Sequence, residues 1–464
     1  MLTYDLTNIK KGELYGALYT LIRDDIKHGI LVAGEKLPSK RALAKNLGVS
    51  TITVESAYAQ LISEGYVYSL PKRGYYIAKL DAPARRVPHE TSGHIELPEP
   101  RPHYRFDFSR NQTNPAHFPF ATWKKLLREV IAEESQALME KSPPGGILAL
   151  RQAIAAHLRD FRGIDVDPGQ IIVGAGTEYL YSLLIQLLGR DKVYCTENPG
   201  YRKIPQIYHA QGVTCRFADM DENGVTIAGL RQAEADIAHI GPTHQYPTGI
   251  TMPVSRRYEL LAWASEAPSR TIIEDDYDSE FRLHGRPIPT LQSLDASASV
   301  IYMNTFAKSL SSTVRISYMV LPVALANRFY ERLGFYSCTV SNFEQFTLAR
   351  FLGDGYFEKH INRMRLFYGR QRQFVLDAIA ASALANHCDI IEQDSGLHFL
   401  LRLDTQQSDA TLSATLAQRS IHLSALSEYY ETNVPTESHE FLLSYANLDT
   451  ENLAMALEEV AKCL

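Results

Sequence analysis

Residues 305–315 read TFAKSLSSTVR. A single amine, Lys308, sits among small and hydroxyl side chains, between two stretches that read as buried strand, SVIYMN and ISYMVL. Burial among apolar neighbours disfavours an ammonium, lowers its pKa and makes the lysine a nucleophile. An ordinary loop lysine is the other reading of this stretch, so the rest of the chain has to decide. IIEDDYD puts two consecutive acids, Asp275 and Asp276, at the end of an apolar run, with Tyr277 next. Acids in that place act on a ligand or cap a helix. VGAGTEYL puts Gly174, Gly176, Thr177 and Glu178 where a strand turns into a helix. Backbone N–H groups and a hydroxyl at a helix start can hold a phosphate, although glycines there can also serve only the turn. Arg315 offers a second phosphate contact.

Something must bring these segments together. From about residue 106, apolar runs alternate with helical patterns: IIVGAG, TEYLYSLLIQLL, KVYCTEN, VTCRFADM, ADIAHIGP, TIIEDDYD and SVIYMNTF. This alternation predicts an α/β domain with a largely parallel sheet, whose strand ends are where ligands bind. The chemistry fits one small molecule. Pyridoxal 5'-phosphate (PLP) needs a lysine for its Schiff base, an acid beside its ring nitrogen and donors for its phosphate. The order GxGT, PGY, PTG, DDY, K, R resembles the fold-type I aminotransferases over roughly residues 106–464. The resemblance implies that Lys308 forms the internal aldimine and Asp275 pairs with the pyridinium nitrogen. It implies that Tyr277 bonds the phenolic oxygen and Tyr201, in ENPGYRK, stacks on the ring. Gly176, Thr177, Glu178 and Arg315 would hold the phosphate.

The N-terminal residues carry a different pattern. ELYGALYTLIRDDIKHGI predicts an amphipathic helix with Leu14, Leu18, Leu21, Ile22 and Ile26 on one face. SKRALAKNL predicts a short helix capped by Ser39 and closed by Gly48, and Ser50 caps the helix that follows. YVYSLPKRGYYIA predicts a hairpin with a basic tip. A helix pair followed by a basic hairpin is a winged helix-turn-helix. Ser50, Thr51 and Thr53 would face the major groove; Lys36, Lys40 and Arg41 would pair with phosphates; Lys72, Arg73 and Gly74 would enter the minor groove. A small helical interaction domain is the alternative. The stretch from LPSKRALAK to PKRGYYI resembles the GntR family of bacterial transcription regulators. Together with PTHQYPTG and EDDYDSEF in the body, the plan is similar to the MocR subfamily of that family. This implies a head-to-tail homodimer that binds double-stranded promoter DNA.

The chain has 464 residues, 45% hydrophobic and 22% charged, enough for several domains of ordinary composition. The expected division is a winged module at 1–80, a Pro- and charge-rich linker at 81–105 and a PLP-binding body at 106–464. The body would have a large part at about 145–325 and a small part at about 326–464. Residues 1–80 carry a net charge of +4 and the remainder −10, as a module that meets a polyanion would. No apolar run reaches the length of a membrane span. Five scattered cysteines lack metal-ligand spacing and fit reduced thiols in a cytoplasm, and no metal is expected.

The chain departs from the aminotransferase pattern in three places. Tyr246 replaces the asparagine of Asn-Pro-x-Gly. In EFLLSYANLD, Leu442 stands where relatives carry an arginine for a carboxylate, and Lys203 is a partial substitute without the planar fork. Lys141 and Ser142 stand where relatives often place a tyrosine reaching the neighbour's phosphate. These losses point away from efficient transamination and leave at most a half-reaction. Lys203, Tyr246, His398 and Leu442 are the candidate effector contacts. The expectation is a regulator that senses PLP itself, as a vitamin B6 sensor, or an amine or amino acid. An aminotransferase with an accessory N-terminal module is the alternative.

Overall fold

The structure is a computed structural model describing residues 2–7, 9, 10, 12–80, 97, 102–109, 113–282, 288–391, 396–435 and 437–464. The chain divides into two compact units, residues 1–100 and 101–464. The expected linker at 81–105 lies mostly outside the described residues.

In the first unit, α1 (Leu14–Lys27) buries Leu18, Ile22 and Ile26, one residue per turn. Leu14 and Leu21 are half-buried. Next come β1 (Lys36–Leu37) and α2 (Lys40–Leu47). The Ser39 hydroxyl accepts from the Ala42 N–H (3.2 Å), and Gly48 closes the helix. Helix α3 (Thr51–Ser63) starts the same way: the Ser50 hydroxyl accepts from the Thr53 N–H (3.0 Å). Each serine satisfies a helix-start donor that would otherwise be unpaired. Strands β2 (Val67–Leu70) and β3 (Gly74–Ile77) form the antiparallel hairpin, and β1 pairs with β3 to make a three-stranded sheet. Leu18, Ile22, Leu43, Val54, Ala57 and Leu61 are the centre of its core. The strand β1 has no counterpart in the sequence expectation, because two residues carry no periodicity.

In the second unit, β4 (Phe106–Asp107) pairs with a strand near the C terminus. Then follow β5 (Ile171–Gly174), β6 (Val193–Asn198), β7 (Thr214–Asp221), β8 (Gly224–Val225), β9 (Ile237–Ile240), β10 (Thr271–Asp275), β11 (Val300–Thr305) and β12 (Ser317–Val320). These eight form one sheet in the order β5-β12-β11-β10-β9-β6-β7-β8. The central pairings are parallel; β12 runs antiparallel to both β11 and β5. Alternate side chains enter two cores. Val173, Tyr302 and Tyr318 pack with Leu150, Ile154 and Leu158 of the helix Leu148–Arg162. Ile172, Ile301 and Met319 pack with Leu180 and Leu184 of the helix Thr177–Leu188. Covered faces on both sides explain the unbroken apolar runs. A second, antiparallel sheet holds β13 (Cys388–Ile391), β14 (His398–Leu403), β16 (Ser424–Ala425) and β17 (Glu440–Ser444), while β15 (Ile421–His422) joins β4. Among the described residues, no helix is long and apolar enough to cross a membrane.

A candidate cofactor cavity and a candidate DNA-binding face

The C-terminal ends of the parallel strands converge on a cavity of about 260 Å³. Its wall takes Gly176 and Thr177 from beyond β5, Tyr201 from beyond β6, Gly241 from beyond β9, Asp275 and Tyr277 from the end of β10, and Lys308 from beyond β11. Strand ends of an open α/β sheet are where backbone donors and side chains are free to face a ligand.

Lys308 lies in a four-residue helix directly after β11, begun by Thr305, whose hydroxyl accepts from the Ala307 N–H (3.1 Å). Burial pushes its amine down to about 8, and the nearby Asp278 charge opposes part of that shift. At pH 7.5 roughly a quarter of such an amine is neutral, against about one part in a thousand for an ordinary lysine.

Asp275 and Asp276 part company because successive strand residues face opposite sides. Asp275 faces the cavity. Its Oδ2 accepts from the Tyr181 hydroxyl (2.6 Å) and lies 3.5 Å from His239 Nε2, while its Oδ1 is buried without a hydrogen-bond partner. Asp276 points into the opposite core, ion-paired with Arg162 (2.8 Å) and accepting from the Tyr302 hydroxyl (2.6 Å). Both members of that ion pair are 1% exposed, so Asp276 is a structural acid.

At the other end of the cavity, Gly176 precedes the helix Thr177–Leu188, and the Arg315 guanidinium lies against it. A Cβ at Gly176 would collide with that guanidinium, and φ is 91°, so only glycine fits. The carboxylate of Glu178 accepts from Arg315 (3.0 Å) and from Lys203, and the Lys203 ammonium first, then Arg315, hold its pKa below the ordinary value. The Glu178 side chain therefore faces two cations, and the phosphate contact expected at Glu178 is left to its backbone N–H at the helix start.

The structure brings Lys203, Tyr201 and Tyr246 to the cavity mouth but not Leu442 or His398. Leu442 is fully buried in β17, packed with Leu400 and Leu426 beside Tyr246 and Tyr429. It is core, not an effector contact, because its strand turns it into this cluster. His398 is buried behind the wall, donating from Nε2 to the Pro247 carbonyl (3.0 Å), and burial drives its pKa well down.

Several cavity-side residues escaped the sequence reading. The Tyr277 hydroxyl meets His244 Nδ1 (3.1 Å), which lies 2.9 Å from the Asp278 carboxylate. Gly396 lets the His244 ring pass; a Cβ there would overlap the imidazole. Glu197 accepts from the Gly241 N–H (3.1 Å), leaves Oε1 unpartnered, and is pushed up to about 8 by burial, so it is largely protonated at neutral pH. Their signals were present: His244 and Asp278 stand inside PTHQYPTG and EDDYDSEF, and Glu197 directly precedes NPGY.

In the first unit, Lys36, Arg41, Lys72 and Arg73 are exposed around α2, α3 and the hairpin tip, with Gly74 half-buried beneath the Lys36 chain. Lys40 is ion-paired to Glu55 (2.5 Å). Thr51 is exposed, whereas the hydroxyls of Ser50 and Thr53 bond to each other (2.8 Å).

Residues 14–77 match the bacterial regulatory proteins of the gntR family, and residues 106–460 match aminotransferase class I and II. The probable rhizopine catabolism regulatory protein MocR of Rhizobium meliloti is 32% identical over 95% of this chain and 91% of its own length. The chain belongs to the MocR subfamily of GntR regulators. Like the others of that subfamily it joins a DNA-binding helix-turn-helix domain to an aminotransferase-like body, and it is an HTH-type transcriptional regulator. The HTH-type regulator YhdI of Bacillus subtilis is 36% identical over 97% of this chain and 95% of its own. The pyridoxine biosynthesis regulator PdxR of Corynebacterium glutamicum is 32% identical over 95% and 93%. The body of this MocR-type regulator has the fold of the kynurenine aminotransferase of Pyrococcus horikoshii, with TM-score 0.67, 22% identity, and 77% of this chain and 90% of that one covered. An archaeal alanine:glyoxylate aminotransferase gives TM-score 0.68 at 23% identity, over 77% and 90%. The body therefore has a PLP-enzyme fold.

Proposed function

We propose that this regulator binds PLP at Lys308 and that occupancy of the cavity sets how the winged module meets promoter DNA. The observation that carries this reading is the pairing of a depressed-pKa amine, Lys308, with the unpartnered Oδ1 of Asp275 across one cavity. Asp275 Oδ1 is a buried acceptor in need of a donor, and a protonated ring nitrogen supplies one. The N–H groups opening the helix at Thr177, with the Thr177 hydroxyl and Arg315, make a phosphate cradle of matching charge. When bound, the cofactor supplies an aldehyde carbon to a neutral amine. Tyr277, anchored on His244, would donate to its phenolic oxygen, and Tyr201, which also lines the cavity, would cover the ring.

The effector is PLP itself or an amine that reaches it. The apolar burial of Leu442 favours PLP, since no planar cation stands there for a carboxylate. Lys203, already engaged by Glu178, offers a weaker grip. The working form is a head-to-tail homodimer on double-stranded promoter DNA, as its subfamily implies. Differential binding of the effector to two arrangements of the dimer supplies the switch.

The experiment is an absorbance spectrum of the purified chain with and without PLP, beside Lys308→Ala. A visible band in wild type, absent in the variant, is expected. No band in either means that the cavity has lost its cofactor and the body only dimerises. Promoter binding that is equal with and without PLP, but changed by an added amine, moves the effector assignment from PLP to the amine.

A further inference from the structure

The helix that faces the major groove in this fold contains no lysine or arginine: α3 reads TITVESAYAQLIS. The cations stand around it, at Lys36, Lys40, Arg41, Lys45, Lys72 and Arg73. Its buried side is Val54, Ala57, Tyr58 and Leu61. Its opposite side presents Thr51, Ile52 and Glu55. Ile52 is 74% exposed in the first turn, where it adds nothing to the core. A β-branched residue is also a modest helix former, so neither packing nor helix propensity accounts for it. Glu55 is equally out of place beside phosphates, unless its charge is offset. Lys40 on α2 does this, with its amine 2.5 Å from the carboxylate.

We propose that α3 reads pyrimidines, with Ile52 packed on a thymine C5-methyl and Glu55, held by Lys40, accepting from the N4 amino group of a neighbouring cytosine. This rests on reading the winged module as the DNA-binding face. Guanine is usually read by the fork of arginine or by lysine, and α3 has neither; apolar side chains meet thymine methyls, and glutamate accepts from cytosine. Ile52 and Glu55 are three residues apart, about 4.5 Å along the helix axis, near one base-pair step of about 3.4 Å. The ring of cations supplies mainly phosphate contacts, and the face of α3 that carries no Lys or Arg supplies the discrimination.

The test selects duplexes from a random library with the full-length chain, then replaces each thymine of the selected site by deoxyuridine, which removes only the methyl. Wild type is expected to lose about four-fold in affinity at one thymine per half-site, the worth of one buried methyl group. Ile52→Ala, on an exposed helical position that costs no packing, is expected to bind thymine and uracil forms alike. Glu55→Gln is expected to lose the cytosine preference at the adjacent pair and move toward adenine. Selected sites in which no T·A pair adjoins a C·G pair in each half-site, or a uracil effect that persists in Ile52→Ala, would overturn the proposal while leaving the DNA-binding reading intact. Recovery of no duplex at all would overturn both.

Discussion

In the winged module the candidate residues Arg41, Lys72 and Arg73 stand in solvent; in the body Lys308 and Asp275 face a cavity at strand ends. Solvated cations each contribute modestly, roughly additively, and are weakened by salt. Buried polar atoms behave differently. Asp275 Oδ1 is buried without a hydrogen-bond partner and Lys308 is desolvated, so a ligand that reached both would act through buried groups, where each interaction counts for more than in solvent. An outer face tolerates substitution by degrees, while an inner site fails whole.

The largest contrast is at Lys308. Lys308→Ala is expected to abolish the visible band formed with PLP, whereas no single substitution on the outer face is expected to abolish DNA binding. The same amine gives a pH signature. Its pKa is lowered to about 8, so the neutral, reactive fraction grows as pH rises. The rate at which the band develops is expected to rise about tenfold per pH unit below 8 and to level off above it. A rate still climbing at pH 10 would mean an ordinary solvated lysine.

The next contrast lies within the body, between neighbouring acids. Asp276→Asn leaves Arg162 buried without its counter-charge and is expected to cost about 3–5 kcal/mol in urea unfolding of the body. Asp275→Asn keeps an acceptor for the Tyr181 hydroxyl and is expected to cost less than about 1.5 kcal/mol, while weakening PLP binding. Equal stability losses would erase the distinction between a functional and a structural acid.

What was legible beforehand follows the same division. Caps, turn glycines and helix periodicity are local, so α2, α3 and the hairpin could be read within a window of a few residues. The ordered strand ends could be read too, because apolar runs mark strands and their C-terminal neighbours. Pairings across long stretches of chain could not. Nothing near Asp276 names Arg162, nothing near Glu178 reveals that both Lys203 and Arg315 hold its carboxylate, and nothing in EFLLSYANLD says that Leu442 faces core. Those facts depend on which strands become neighbours. The strand β1 stayed hidden for another reason: its partner β3 defines it, and its own two residues do not.

Smaller effects belong to the wing. Lys72→Ala and Arg73→Ala are each expected to lower the salt slope of DNA binding by about 0.9 and to weaken affinity by about tenfold or less. The losses should be alike for different DNA sequences, since contacts of this kind carry no base information. A loss confined to one sequence would place these residues on base edges instead.

The smallest effect separates two serines that look alike. Ser39 and Ser50 each cap a helix through the hydroxyl, and Ser50 opens α3, the helix expected to face the major groove. Alanine at either is expected to cost about 1 kcal/mol of module stability, read as faster amide exchange in α2 or α3. The Ser50 hydroxyl is already bonded to the Thr53 N–H and to the Thr53 hydroxyl (2.8 Å), which leaves it little capacity for a phosphate. Ser50→Ala should therefore weaken DNA binding no more than Ser39→Ala does, once both are compared at matched fraction folded. An excess loss for Ser50→Ala would mean that the hydroxyl pair opens on DNA, with Ser50 exchanging its cap for a phosphate. Thr51, exposed beside it, would then share that contact, and Thr51→Ala should show the same excess.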